Sequence, residues 1–136
     1  MQDSPGPLRA KAAYDFVTLR ASAITVAGSI AGTSGSASYM PRPKKGVIFV
    51  LDVTTAATAA GDTLDIAVQT LVDGTNWVDV CAFTQVLGDG GAKRHVGKIL
   101  TAGTQTMFEG SAALAAGSVR NIIGDAWRVK TTQVDA

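Results

Sequence analysis

Two runs of alternating polar and apolar residues flank Asp73-Gly74-Thr75-Asn76, and this arrangement constrains the chain more than any other feature. In Thr63 to Leu71, Leu64, Ile66 and Val68 point one way while Asp65, Ala67 and Gln69 point the other. Trp77-Val78-Asp79-Val80-Cys81-Ala82-Phe83 follows as a second run. A period of two is the signature of a half-buried strand, and Asp-Gly supplies the positive φ that a tight reversal needs. The pair therefore predicts a β-hairpin.

The rest of the chain repeats this pattern of short strands and Gly-rich turns. Residues 22–30 alternate around Ile24 and Val26, which predicts a strand, and residues 31–38, all Ala, Gly, Ser or Thr, predict a polar loop. Gly46 to Thr54 is apolar on both faces, which predicts a central strand covered on both sides. Gly88-Asp89-Gly90-Gly91 is a turn, and Lys93 to Leu100 a strand with Val96 and Ile99 as its apolar members. A short strand is expected at 106–109, in a stretch rich in small residues, with Val119, Ile122 and Ile123 after it. Asp125 to Val134 closes the chain as a strand, with Trp127, Val129 and Val134 near the core. Residues 9–19 fit a helical face (Ala10, Ala13, Phe16, Val17) or a strand face (Tyr14, Phe16, Thr18), and we favour extended structure. Six to eight short strands without a long amphipathic helix predict an all-β fold, an antiparallel β-sandwich or jelly-roll-like barrel. Residues 1–20, with two prolines among the first eight, are expected to form an extended N-terminal arm, and residues 21–136 one domain.

The 136 residues suffice for one core, but much of the 46% hydrophobic content is Ala and Val, and small side chains bury little area. Contact with further copies is expected to supplement it. Twelve basic residues against eleven acidic ones give a net charge of +1, which does not favour nucleic acid. No apolar run is long enough for a membrane helix, and the first residues lack the layout of a signal peptide, so use without secretion through one is expected.

Chemistry is sparse. His95 is the single histidine and Cys81 the single cysteine, too few for a zinc site, a disulfide or a nucleophile held by a base and an acid. Cys81 lies in an apolar stretch and is expected to be a buried thiol. The turns at Asp73 and Asp89 offer too few oxygens for calcium, and the Gly88–Gly91 turn opens no helix that would cradle a phosphate. Asp65, Asp73 and Asp79 can approach one another around the hairpin, but nothing in their pattern raises paired-carboxylate catalysis above surface charge. No catalytic, cofactor or metal residue is assigned, and an enzyme is not expected.

The span Asp65 to Val80, with Val-Gln-Thr and then Asp73-Gly74-Thr75-Asn76-Trp77, resembles small β-sandwich virion proteins of tailed bacteriophages, as does the late Ala126-Trp127-Arg128-Val129-Lys130. The resemblance covers about residues 46–100 and 124–134. It implies a capsid decoration protein that binds and stabilises the outer head shell, with the major capsid protein and other copies of itself as partners, a trimer among the options. It also implies assembly in the host cytoplasm and residence on the virion. Arg9, Lys11, Arg20, Arg42, Lys44 and Lys45 are the candidate docking contacts, and Asp73, Gly74, Asn76 and Trp77 the structural hairpin. A tail, neck or head–tail connector component is the alternative within the virion. The hairpin is also similar to discoidin-type jelly rolls, which would imply a carbohydrate-binding module, but few aromatics are available to stack on sugars: Trp77 and Trp127 both fall on predicted strands.

Overall fold

The computed structural model describes residues 30–39 and 45–134. Among these residues there is no helix, and so none long and apolar enough to cross a membrane. The strands are β1 (Ile30–Tyr39), β2 (Gly46–Val53), β3 (Thr63–Leu71), β4 (Trp77–Ala82), β5 (Val86–Leu87), β6 (Lys93–Leu100), β7 (Ser118–Val119) and β8 (Ala126–Val134). One sheet runs β1-β8-β3-β4-β7 with β5 on β3, and β2 pairs with β6 in a separate sheet. Every pairing is antiparallel.

The predicted hairpin is β3–β4. Asp73 folds its own turn: one carboxylate oxygen accepts from the backbone N–H groups of Thr75 (3.0 Å) and Asn76 (2.7 Å), and the other accepts from the Asn76 amide at 2.7 Å. These bonds, the Asn76 side chain foremost, hold the Asp73 carboxyl below its ordinary pKa. Gly74 takes a φ of 82°, open to glycine at little cost.

A bulge interrupts the hairpin. Val68 stands opposite Cys81, but the next residue, Gln69, stands opposite Asp79, so Val80 is the extra residue on β4. The consequence is specific. Val80 and Cys81 both enter the core, and Asp79 is turned to the outer face beside Gln69. Without the bulge Asp79 would oppose Thr70, which points inward and is fully buried.

Both sheets contribute to one core. Trp127 of β8 is fully buried, and its ring lies 5.7 Å from that of Phe49 on β2. Ile99 of β6 is equally buried and joins the same cluster. Gly97 permits the close approach of β6 to β4, because a Cβ there would stand 2.6 Å from the Cys81 sulfur. The Thr70 hydroxyl accepts from the Gly124 N–H and donates to the Ala126 carbonyl, both at 3.0 Å, which satisfies it inside the core.

Four expectations are corrected. Residues 31–38 form part of strand β1 rather than a loop; the edge of β8 offers a ladder of backbone partners, and that pairing overrides a composition poor in strand formers. Gly46–Val53 is not a central strand: among the described residues it pairs only with β6, and only its inner face is covered. A continuous apolar run does not say whether its second face is covered. Residues 106–109 form no strand, since Phe108 packs on the core from an irregular segment while Met107 is exposed. Val134, at the end of β8, is exposed rather than near the core. The expected strand at 22–30 lies outside the described residues except for Ile30, which begins β1.

Candidate functional site

The outer face of the six-stranded sheet carries a connected line of polar side chains. Arg128 of β8 donates from Nε to the Gln69 side-chain oxygen at 2.7 Å, and Gln69 donates from Nε2 to Asp79 at 2.7 Å. The second Asp79 oxygen accepts the backbone N–H of Leu114 at 3.0 Å and the Lys130 ammonium at 3.2 Å. Arg128 in turn stacks 4.4 Å above the Trp77 ring. The strands place these residues side by side because Gln69 is opposite both Arg128 and Asp79 in register.

Asp79 is only 4% exposed, although it lies on the outer face. The Leu114 N–H comes from a segment that crosses over the sheet and is itself held by Arg120. That buried guanidinium donates to the carbonyls of Asp79 and Ala112 at 3.3 Å and lies 4.1 Å over the Phe108 ring. Burial by itself raises the Asp79 pKa. The Leu114 N–H, the Gln69 amide and the Lys130 charge outweigh it and hold the carboxyl below its ordinary value.

Beside Asp79 lies a cavity of about 220 Å³ between the sheet and residues 113–116. Asp65, Asp79, Lys130 and Thr132 form its polar wall, and alanines much of the rest. Asp65 and Asp79 are thus brought to one cavity, as the hairpin allowed, while Asp73 stays in the β3–β4 turn. Their chemistry is already committed. Asp65 accepts from the Gln85 amide at 3.0 Å, and Asp79 is held ionised by its donors. A general acid needs a carboxyl pushed upward, and Asp79 moves the other way.

The remaining candidates are equally bounded. Cys81 is buried, and burial pushes its thiol up to about 11, so it is not a thiolate at neutral pH. His95 sits on β6 opposite Leu51. Among the described residues no three His, Cys, Asp or Glu side chains gather in a way that could hold a metal ion. Trp77 is half-buried and packs the hairpin through Arg128. Lys45 is exposed just before β2, and its carbonyl accepts from Thr101. Arg9, Lys11, Arg20, Arg42 and Lys44 lie outside the described residues. Gln69, Arg120, Arg128 and Lys130 were not singled out from the sequence. Three of them occupy outward positions of alternating strands, which look like solvated positions until a covering segment is known.

The β2–β6 sheet presents the opposite kind of surface. Its outward residues pair across the strands as Gly46 with Leu100, Ile48 with Lys98, Val50 with Val96 and Asp52 with Arg94. Ile48 and Val96 are each 64% exposed, Val50 57% and Leu100 43%. Arg94 and Asp52 form an ion pair at 3.3 Å at one end of this stripe.

No family model, no curated protein and no solved structure matches the chain.

Proposed function

We propose that this chain is a non-enzymatic structural protein of a tailed-phage virion, a decoration protein that binds and stabilises the outer head shell. The observation that carries the reading is the open apolar stripe of the β2–β6 sheet, in a molecule whose buried Asp79 and Arg120 are engaged in holding its own loop. An exposed apolar patch of this kind marks a contact surface by its energetics. The resemblance of the 65–80 hairpin and of Ala126 to Lys130 to phage virion proteins supplies the setting.

In this reading the two sheets are the layers of a single β-sandwich domain spanning residues 21–136, and residues 1–20 are an extended arm. Arg9, Lys11, Arg20, Arg42, Lys44 and Lys45 form a basic set that docks on the capsid protein, leaving the sheet stripe to contacts between copies. Stabilisation is non-covalent: added interface area holds neighbouring capsomers together against the pressure of packaged DNA.

The test is binding of the purified chain to empty heads of a phage that encodes it, with bound copies counted by mass or electron microscopy. Hundreds of copies per head are expected. Six or twelve would move the protein to the connector or tail, and none would overturn the reading. Deleting residues 1–12 is expected to weaken binding, and undiminished binding would remove the arm from the docking surface.

A further inference from the structure

We propose that the outward face of the β2–β6 sheet binds the same face of a second copy of this chain, about a two-fold axis parallel to the strands and running between them. The proposal deepens the reading above, which leaves this stripe to contacts between copies, and it is tested in solution without heads, so that either can fail while the other stands.

The face is a two-by-four array fixed by the strand register: Gly46 beside Leu100, Ile48 beside Lys98, Val50 beside Val96, Asp52 beside Arg94. A strand-parallel two-fold exchanges the two columns and keeps the rows. Val50 then meets Val96 of the second copy, and Ile48 meets the aliphatic stem of Lys98, whose ammonium reaches the rim. Asp52 meets Arg94. Each copy's exposed Asp52–Arg94 pair is thereby faced by its opposite, and the two pairs close into a square of alternating charge. Face-to-face sheets keep their strand directions within roughly 30°, which this axis allows.

Two-folds across the strands match the charges less well. At the Val50–Val96 row the axis sets Lys98 over Arg94. Moved to the Ile48–Lys98 row, it sets Lys98 over its own copy. Midway between the Ile48 and Val50 rows it sets Asp52 over Gly46 and Arg94 over Leu100, so neither meets an opposite charge. Among these, only the axis along the strands sets both Asp52 and Arg94 against an opposite charge.

Area limits the strength of the contact. From their exposures, Ile48, Val50, Val96 and Leu100 leave roughly 400 Å² of side chain open on each copy, within the range of patches that mark interaction sites. Two such patches with their charged rim approach the lower end of specific interfaces, about 1,200 Å² in total. The association is accordingly weak, with a Kd in the micromolar range, on the order of 1–100 μM.

Sedimentation equilibrium of the full chain tests this. The wild type is expected to show a monomer–dimer equilibrium, and Val50→Asp to be monomeric with an unchanged circular dichroism spectrum. Asp52→Arg and Arg94→Asp are each expected to weaken self-association by about tenfold or more, since each places like charges across the contact. Mixing the two single variants restores opposite charges between copies while leaving like charges within each copy. The mixture is expected to form a heterodimer close to wild-type strength. A wild type that stays monomeric to about 1 mM, or a mixture no better than its components, would overturn the proposal. So would self-association lost on deleting residues 1–29 yet untouched by Val50→Asp, because it would assign the contact to the N-terminal segment.

Discussion

On the outer face of the six-stranded sheet, Asp79 and Gln69 are charged or polar and buried; on the outer face of β2–β6, Ile48, Val50 and Val96 are apolar and exposed. The first face has a lid of its own chain. Residues 112–114 lie across it, and Arg120 ties them down through the Ala112 carbonyl. The second face has no cover among the described residues. An outward strand position thus does not decide its own burial. What decides it is whether another segment returns over the sheet. Where one does, its backbone N–H groups need acceptors, and Asp79 provides one. Where none does, hydrocarbon stays exposed.

This contrast predicts a graded set of stability changes. Trp127→Ala removes the ring that the two sheets share through Phe49, and we expect a loss of about 3–5 kcal/mol, measured by urea unfolding. Asp79→Ala is expected to cost about 2–4 kcal/mol, because the buried Gln69 amide and Leu114 N–H lose their acceptor and Lys130 loses its counter-charge. A loss under 0.5 kcal/mol would mean that the covering segment does not depend on Asp79.

The same residue gives a pH test. Its folded-state pKa lies below its ordinary value of 3.8, so its stabilisation is complete above the unfolded pKa and is lost as pH falls through the folded one. The stability gap between wild type and Asp79→Asn is therefore expected to be constant near neutrality and to narrow below about pH 4.

Gly97→Ala sharpens the account of how the sheets meet. The new methyl collides with the Cys81 sulfur, and we expect a cost of about 1–3 kcal/mol that is partly recovered in the double variant with Cys81→Ala. An additive result would place the clash elsewhere. The smallest effect belongs to the open face. Val50→Thr, measured on dilute protein, is expected to change stability by less than about 0.5 kcal/mol. A larger cost would show that β2 is covered within the folded chain.

Much of the fold was legible in the residues. The β3–β4 hairpin is written in the alternation from Thr63 and in Asp73-Gly74, because a local turn and a period of two need no distant partner to specify them. The buried thiol of Cys81 was equally plain. The site was less legible. Asp79 faces outward only because Val80 bulges, and a bulge depends on pairing that sequence periodicity does not report.

Residue type and short-range spacing were thus enough to specify antiparallel strands over the described residues and the central hairpin. Tertiary structure alone decided three things: that residues 31–38 join β8 as a strand, that Gly46–Val53 lies in a two-stranded sheet with one face open, and that Asp79 is buried under residues 112–114. All three rest on contacts between segments far apart in the chain. Backbone groups at a sheet edge, and surface over a sheet face, are claimed by whichever segment returns to them, and local composition does not name that segment.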